Sequence, residues 1–255
     1  MRVLQTIAVA FSMFSAIPMP QFPWDKDNMR YALVAFPLIG AVIGLVCWGA
    51  VWVCGLLRLP SLLQGAMLCL IPVLLTGGIH LDGYADTCDA LASHAPPEQM
   101  QEILKDPHTG AFAVIRLCGW FVLMLALWTC LPDYQSLLIL LSFLLSRTLS
   151  ALAVASFPMA KHTGLAHTFA QAADKRRVRT ILMVFDGLIS VGMLLCGVGG
   201  ILMVLSAHLV FLFYHRMAMR QFGGLSGDLA GWFLIQAEKW MLIALVAWEY
   251  VEALI

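Results

Sequence analysis

Three aspartates lie close together in one segment of the sequence. Asp82, Asp86 and Asp89 follow an apolar run and are separated by four and three positions. If the segment is helical, a rotation of about 100° per residue places Asp86 at about 40° and Asp89 at about −20° from Asp82, in one narrow stripe. Like charges four residues apart destabilise a helix. The spacing therefore predicts that a cation binds along this stripe.

The ligand chemistry indicates which cation. Carboxylate oxygens suit Mg²⁺ or Mn²⁺, and Mg²⁺ commonly joins one or two carboxylates to substrate phosphates. Two such ions about 4 Å apart would clamp a diphosphate. The alternative is a solvated acidic segment at a helix start, where negative charge interacts favourably with the macrodipole. We favour a magnesium site, whose candidate ligands are Asp82, Asp86, Asp89 and Asp106.

Residues on either side of the stripe are candidate substrate contacts. Gly77 and Gly78 precede it, and glycines let backbone N–H groups approach a phosphate. Small residues in membrane helices also serve packing, which is the simpler interpretation of the pair. His80 is a candidate catalytic base or phosphate donor, and Lys105 is a candidate catalytic contact to a phosphate.

A second glycine-rich segment precedes the last apolar run. It places Gly223, Gly224 and Gly227 ahead of Asp228. A helix N-terminus with accessible backbone N–H groups is a suitable anion site, so the three glycines are candidate substrate contacts. Asp228 is a candidate further metal ligand or the catalytic general base for an attacking hydroxyl. An acid at a helix start also has a purely electrostatic explanation.

Membrane helices are the elements that must position these residues. The chain is 61% hydrophobic and 12% charged, whereas soluble domains are about half apolar and about one-quarter charged. A spanning helix needs about 20 mainly apolar residues. A shorter apolar segment, 3–20, predicts an interfacial or re-entrant helix. The candidate spans are residues 31–57, 61–78, 110–131, 134–157, 178–197, 198–215 and 229–255.

We therefore predict an all-α fold, a polytopic integral membrane helical bundle of about six to seven transmembrane helices. Residues 1–255 form a single domain. Tracing the spans back and forth puts the longer connections on one face, together with most Lys and Arg residues, including Lys161. The positive-inside rule makes that face cytoplasmic. The active site is thus expected to face the cytoplasm.

Arg147 falls in the middle of a predicted span. An ionisable residue is costly in lipid and usually faces the bundle interior or a wet cavity, so we predict that Arg147 binds a substrate phosphate. The formal net charge of zero argues against a nucleic acid partner. Seven cysteines, none in a C-x-x-C pair, are interpreted as small apolar residues of the membrane helices.

Three blocks of the sequence resemble the cobalamin synthase family, also called the adenosylcobinamide-GDP ribazoletransferases. The blocks are residues 76–89, 105–110 and 223–228, and their order and spacing fit over nearly the whole chain. The first block is the most specific. Ala90, where the family often has Gly, and Ser226, where it tends to have Thr, are mild departures.

The resemblance implies a Mg²⁺-dependent transferase of the bacterial or archaeal inner membrane, surrounded by lipid, that completes the nucleotide loop of vitamin B12. Its substrates would be adenosylcobinamide-GDP and α-ribazole or its 5′-phosphate, and GMP would leave. Asp82, Asp86 and Asp89 would hold Mg²⁺ on the diphosphate while a ribazole hydroxyl attacks. Lys105 or Arg147 would neutralise the leaving GMP. A homo-oligomer is compatible with the sequence.

Two other classes of protein are alternatives. CDP-alcohol phosphotransferases also use an aspartate series on a helix, but the Asp82-Gly83 step here lacks the Ala-Arg step of that family. A cation-coupled transporter would use the acids as an ion path. Transporters place polar sites near the midplane, often in paired repeats, whereas these acids cluster at one face and no repeat is visible. Metal-dependent GMP release separates an enzyme from a transporter.

Overall fold

The structure, a computed structural model, describes residues 2–132, 136–160 and 164–255, so Tyr134 at the start of a predicted span and Lys161 lie outside it. The described residues form twelve α-helices. The only β-type pairing found among these residues is an isolated bridge between Met159 and Leu225. The helices are α1 (Arg2–Phe14), α2 (Lys26–Met29), α3 (Ala32–Leu56), α4 (Ser61–Thr76), α5 (Ile79–Ala92), α6 (Pro97–Ile103), α7 (Ala111–Cys130), α8 (Ser136–Ser156), α9 (Leu165–Ala172), α10 (Lys175–Leu194), α11 (Val198–Gln221) and α12 (Gly227–Glu252).

Five of the described helices, α3, α7, α8, α11 and α12, are long and apolar enough to cross a membrane. Helices α4 and α5 meet the same criteria together but bend by 94° between them, so they form either a sixth, broken span or a re-entrant segment. The all-α polytopic bundle predicted from the sequence is confirmed. Helix α1 is short and apolar, as expected of the N-terminal segment.

Helix α10 was predicted as a span but is not among the five apolar helices. The physical reason is charge, since its first turns contain Lys175, Arg176, Arg177 and Arg179 and its middle contains Asp186. Its start lies beside Arg30, because the backbone N–H of Asp174 donates to the Arg30 carbonyl over 3.3 Å. Its 20 residues rise about 30 Å, enough to run from one end of the bundle to the other.

The centre of the bundle is formed by α8, α12 and α3. In these helices 72%, 61% and 56% of the most apolar 18-residue stretch is buried inside the protein. Helices α7 and α11 lie at the periphery, with only 22% and 28% of the corresponding stretch buried. Small residues let the central helices approach closely, as is usual in membrane bundles. A Cβ on Gly44 of α3, for example, would lie 2.7 Å from the Leu140 Cα of α8.

The longer connections meet at one end of the bundle. The Arg30 guanidinium contacts Asp174 over 2.8 Å, which joins the segment before α3 to the start of α10. The Gln101 amide of α6 donates to the carbonyl of Phe222, which follows α11. The Leu225 N–H donates to the carbonyl of Pro158, just after α8. The clustering agrees with the arrangement traced from the sequence.

Candidate active site

Helix α5 presents its three aspartates on an otherwise buried helix. Within the fully described stretch 80–90, every residue is buried except Asp82, which is exposed, and Asp86 and Asp89, which are partly exposed. The remaining positions pack against neighbouring helices, which explains why a segment with three acids is nevertheless helical. The helical period therefore places the carboxylates on one open face, which we call the acidic face.

Close packing of α12 on α5 adds a fourth carboxylate to the acidic face. A Cβ on Gly83 would lie 2.8 Å from the Asp228 Cα, and a Cβ on Gly231 would lie 2.9 Å from the His80 carbonyl oxygen. The two backbones are thus in direct contact. As a result Asp228, Asp82 and Asp89 all act electrostatically on the partly buried Asp86. Nothing in the sequence pattern indicated the role of the two glycines.

The carboxylates of the acidic face do not form a ready-made metal cage. Across the three described ranges, no group of three His, Cys, Asp or Glu side chains is arranged to hold a metal ion. Mg²⁺ usually binds through one or two carboxylates together with substrate phosphates and water, so a complete protein cage is not required. Three acids acting on Asp86 are an oxygen-rich, negatively charged donor set that suits this ion.

Asp89 connects α5 to the start of α7. Its Oδ2 accepts a hydrogen bond from the Gly110 N–H over 2.6 Å, and its Oδ1 accepts one from the Ala113 N–H over 2.9 Å. These are orphan donors of a helix N-terminus, which a carboxylate stabilises. A Cβ on residue 110 would lie 2.6 Å from Asp89 Oδ2, so this position requires glycine. The metal role predicted for Asp89 stays a prediction; the contact that the structure shows is this cap.

The segment after α6 contains Lys105 and Asp106. Lys105 Nζ lies 2.6 Å from Glu102 in an exposed ion pair, the kind of pair that contributes little to stability and can be exchanged for another partner. Asp106 accepts hydrogen bonds from the backbone N–H and the ring of His108, at 2.9 and 2.7 Å. These bonds lower the pKa of the Asp106 carboxyl. Asp106 thus has a local partner, and its metal role stays a prediction.

Gly77 and Gly78 form the 94° bend between α4 and α5. Both have positive φ, +65° and +79°, which favours glycine. Their N–H groups donate to the carbonyls of Leu74 and Val73 and so complete the end of α4. Phosphate contact by these amides stays a prediction, and the role visible in the structure is to direct α5 across the end of the bundle.

The second glycine segment positions the start of α12. Gly223 has a φ of +70°, and the N–H of Gly224 donates to the Ala218 carbonyl over 3.0 Å. Ser226 then caps α12 by accepting from the Leu229 N–H over 3.2 Å. Gly227 and Asp228 follow in the first turn, so the positive end of the α12 dipole lies beside Asp228.

A cavity of about 570 Å³ opens beside this turn. The exposed and half-buried polar side of its lining, which we call the mouth, consists of Asp82, Lys105, Ser226, Gly227 and Asp228. Lys105 is the only Lys or Arg among the described residues that line the cavity. Its apolar wall comes from α1, α3, α8, α9 and α12. Sequence motifs gave no sign of this cavity, because its wall is assembled from helices far apart in the chain. The lining of the apolar wall includes Met13, Phe14, Leu33, Phe36, Val154 and Phe169.

His80 lies between this cavity and a smaller one deeper in the bundle, and it lines both. Its side chain is buried, and its ring lies 5.9 Å from that of Phe36 in an edge-on contact. Its Nε2 has no hydrogen-bond partner among the described residues. The predicted catalytic role of His80 stays a prediction, with the ring within reach of the cavity rather than of bulk water.

Arg147 lies in the interior and lines the deeper cavity, not the one at the acidic face. Its guanidinium pairs with Glu238 of α12 and also donates to the Ser146 hydroxyl over 2.9 Å. The side chains of Arg147 and Glu238 are only 2% and 11% exposed. Arg147 therefore has an internal partner, as expected for a charge inside a membrane bundle. Its predicted contact with a substrate phosphate stays a prediction.

Fold and site together define a polytopic helical membrane protein with a carboxylate-lined cavity at one end of its bundle. The sequence model of the cobalamin-5-phosphate synthase family matches residues 6–246. The chain belongs to this family.

The chain is similar over almost its full length to several curated proteins named adenosylcobinamide-GDP ribazoletransferase. The protein from Lachnoclostridium phytofermentans is 45% identical over 98% of this chain and 96% of that protein. One from Clostridium botulinum (strain Alaska E43) is 32% identical over 93% and 95%. One from Ectopseudomonas mendocina is 32% identical over 94% and 96%. No solved structure matches the chain.

Proposed function

We propose that this protein is a membrane-embedded transferase that joins adenosylcobinamide-GDP to ribazole or its 5′-phosphate and releases GMP. The observation that carries the proposal is that Asp82 and Asp228 line a large cavity and that both act electrostatically on the neighbouring Asp86. Its family and the names of its relatives supply the two substrates. The same residues suit chemistry on a diphosphate, because they combine oxygen ligands for a metal with a candidate base.

The reaction is a displacement at phosphorus. A hydroxyl of ribazole forms a new P–O bond with the phosphorus attached to the cobinamide arm, and the bond to the bridging oxygen of the diphosphate breaks. GMP leaves with that oxygen. Asp228 accepts the hydroxyl proton, and Lys105 exchanges Glu102 for the phosphate of the leaving nucleotide. Positioning and electrostatics provide most of the catalysis in such transfers.

Mg²⁺ is the proposed cofactor, held by Asp82 and Asp86. When bound, the ion would supply positive charge that offsets the negative charge of the diphosphate and of the leaving group. Asp89, whose oxygens cap α7, acts by holding α5 and α7 together. The protein's contribution would be to keep the carboxylates converged beside the diphosphate, because Mg²⁺ usually binds through one or two carboxylates together with substrate phosphates.

The proposed location is the cytoplasmic membrane of a bacterium or archaeon, with the acidic face towards the cytoplasm. The basic residues at the start of α10 (Lys175, Arg176, Arg177 and Arg179) and Arg30 lie at the same end as the longer connections. That asymmetry supports a cytoplasmic position by the positive-inside rule. It would also give both water-soluble substrates direct access to the site.

The test is GMP release by purified protein in liposomes, supplied with adenosylcobinamide-GDP, α-ribazole phosphate and Mg²⁺. We expect release that stops on chelation of the metal and falls at least about 100-fold in Asp82→Asn and Asp86→Asn. Glu252→Gln, at the far end of α12, removes an exposed acid by the same chemical change and should retain activity.

Three results would contradict parts of this proposal. A folded wild-type protein that released no GMP would exclude the transferase function. Release that persisted in both Asn variants would exclude the metal-binding role of the acidic face. Full activity after chelation would exclude Mg²⁺ as a required cofactor.

A further inference from the structure

We infer that the cavity beside α12 binds the nucleoside acceptor, with the planar aromatic base of that nucleoside against the half-buried ring of Phe14, which packs on the buried rings of Phe36 and Phe169, and with its ribose hydroxyls directed towards Asp228. The inference rests on the proposed function and assigns one of its two substrates to a particular subsite. The larger corrinoid substrate then occupies only the mouth and the space outside it.

The size of the cavity favours the smaller substrate. About 570 Å³ falls within the range of roughly 300–1,000 Å³ that encloses a small organic ligand. A corrin ring with its amide arms, adenosyl group and attached GDP is far larger than a nucleoside. Burial in this space therefore suits the ribazole, while the corrinoid presents its diphosphate from outside.

The wall of the cavity is aromatic on one side. The ring centroids of Phe14 and Phe36 lie 4.7 Å apart, and those of Phe14 and Phe169 lie 5.2 Å apart. His80, which also lines the cavity, extends the series from Phe36 at 5.9 Å. Aromatic side chains at such distances favour stacked or edge-on contact with a further ring, and nucleoside bases bind aromatic walls in this way.

The distribution of polar groups in the cavity indicates which of the two aromatic bases, benzimidazole or guanine, it would bind. Apart from Ser150 and the wall residue His80, the charged and hydroxyl side chains that line the cavity belong to its mouth. A benzimidazole base has few hydrogen-bonding atoms and loses little on entering an apolar wall. Guanine carries several donors and acceptors, and burying them without partners costs free energy. The apolar wall therefore favours the ribazole base over the guanine of the other substrate.

This orientation of the nucleoside brings the reacting groups together at the mouth. The mouth contains Asp82 for the diphosphate side and Asp228 for the hydroxyl side, on backbones that touch at Gly83. A base lying against Phe14 leaves its ribose at the mouth, next to the proposed general base. The phosphorus then lies between the nucleoside and the acidic face.

A variant that fills the cavity tests the assignment. Ala151 of α8 lines the cavity, and Ala151→Leu would add volume within it. We expect the KM for ribazole phosphate to rise about tenfold or more, with the KM for adenosylcobinamide-GDP within about twofold of wild type. Ser156→Leu, an exposed position on the same helix, is the matched control and should change neither KM. A rise confined to adenosylcobinamide-GDP, or no change in either KM, would overturn the assignment.

A second variant covers the case in which Ala151→Leu fails to fold. Phe14→Leu keeps the wall apolar but removes its central ring, so we expect the KM for ribazole phosphate to rise about fivefold or more at an unchanged rate with saturating substrate. An unchanged KM for ribazole phosphate would contradict the aromatic subsite.

Direct binding separates this inference from the proposed function. We expect α-ribazole to bind the wild-type protein in calorimetric titration without the second substrate, and GMP in about tenfold excess not to displace it. Displacement by GMP would assign the cavity to guanine and overturn the inference. Absence of binding by a protein that releases GMP would also overturn it. Absence of GMP release with intact α-ribazole binding would instead overturn the proposed reaction.

Discussion

Two charged regions of this molecule differ in the sign of the groups that surround each charge. At the acidic face, the groups that act on Asp86 are three other carboxylates, Asp82, Asp89 and Asp228. In the interior, Arg147 is paired with Glu238, a group of opposite charge that also accepts a hydrogen bond from Ser146 over 3.0 Å. The first region lies beside a large cavity, and the second beside a much smaller one.

The difference indicates which charges the fold needs and which the chemistry needs. Burying an ion is tolerable when its partner is buried with it, so Arg147 and Glu238 satisfy each other inside the protein. Converging acids raise the free energy of the folded chain until a cation arrives, so their grouping indicates selection for binding rather than for stability. Variants in the two regions should therefore affect stability and activity in opposite proportions.

Breaking the interior pair should have the largest effect on stability. Glu238→Leu leaves Arg147 buried without a counter-charge, and we expect a loss of about 3–5 kcal/mol in the free energy of unfolding. Thermal unfolding in detergent, followed by intrinsic fluorescence, would measure it. The double variant Arg147→Met/Glu238→Leu replaces both charges by apolar groups and should recover most of the loss.

The same double variant separates structure from phosphate binding. If Arg147 serves only the fold, the double variant will release GMP at close to the wild-type rate. A stable double variant that has lost GMP release would show that Arg147 contacts substrate, as the sequence predicted.

Separating α5 from α12 should have the next largest effect. In Gly83→Ala the new Cβ would lie 2.8 Å from the Asp228 Cα, and overpacking of this kind costs about 1–3 kcal/mol. The displaced Asp228 should lower GMP release more than the loss of stability explains. Gly49→Ala of α3 is the control, because nothing lies within 4 Å of its added Cβ. Equal effects of the two variants would argue against tight packing at Gly83.

Removing the cap of α7 should have a smaller effect. Asp89→Ala deletes both acceptors of the Gly110 and Ala113 N–H groups, which should cost about 0.5–2 kcal/mol in unfolding free energy. Asp89→Asn keeps one side-chain oxygen and should retain most of the stability and most of the GMP release. Complete inactivity of a stable Asp89→Asn protein would instead support the metal role predicted from the sequence.

Neutralising the acidic face should have the smallest effect on stability. Asp86→Asn removes a charge from among three other acids, so unfolding without Mg²⁺ should be unchanged or become harder by a few tenths of a kcal/mol. GMP release should nevertheless be lost. A clear loss of stability in Mg²⁺-free buffer would mean that Asp86 contributes to the fold, and the contrast between the two regions would fail.

Local periodicity made much of the acidic face predictable. Asp82 and Asp86 share the open face of α5 because a helix turns by a fixed angle per residue, and that information is contained in their spacing. The hydrogen-bond partner of Asp89 could not be predicted from local spacing, because Gly110 is 21 residues away. The partner of Arg147 is 91 residues away, so its interior position was predictable but its pairing with Glu238 was not.

Residues without distinctive chemistry were missed. Gly83 and Gly231 decide how closely α5 and α12 approach, yet each has no side chain by which a motif would single it out. Phe14, Phe36 and Phe169 meet only because α1, α3 and α9 pack together, and phenylalanine in an apolar helix carries no signal of a binding site. The sequence predicted the reactive groups, whereas the shape of the pocket depends on tertiary packing.

The bend at Gly77 and Gly78 has a consequence for the surrounding lipid. Helix α4 has 16 residues, a rise of about 24 Å, whereas the hydrocarbon layer is about 30 Å thick. A helix that is too short thins the bilayer around it or draws its flanking groups inwards. We therefore expect α5 to lie at the depth of the lipid headgroups rather than in open water. Bilayer thickness would then set the immersion depth of Asp82, and turnover should depend on membrane composition.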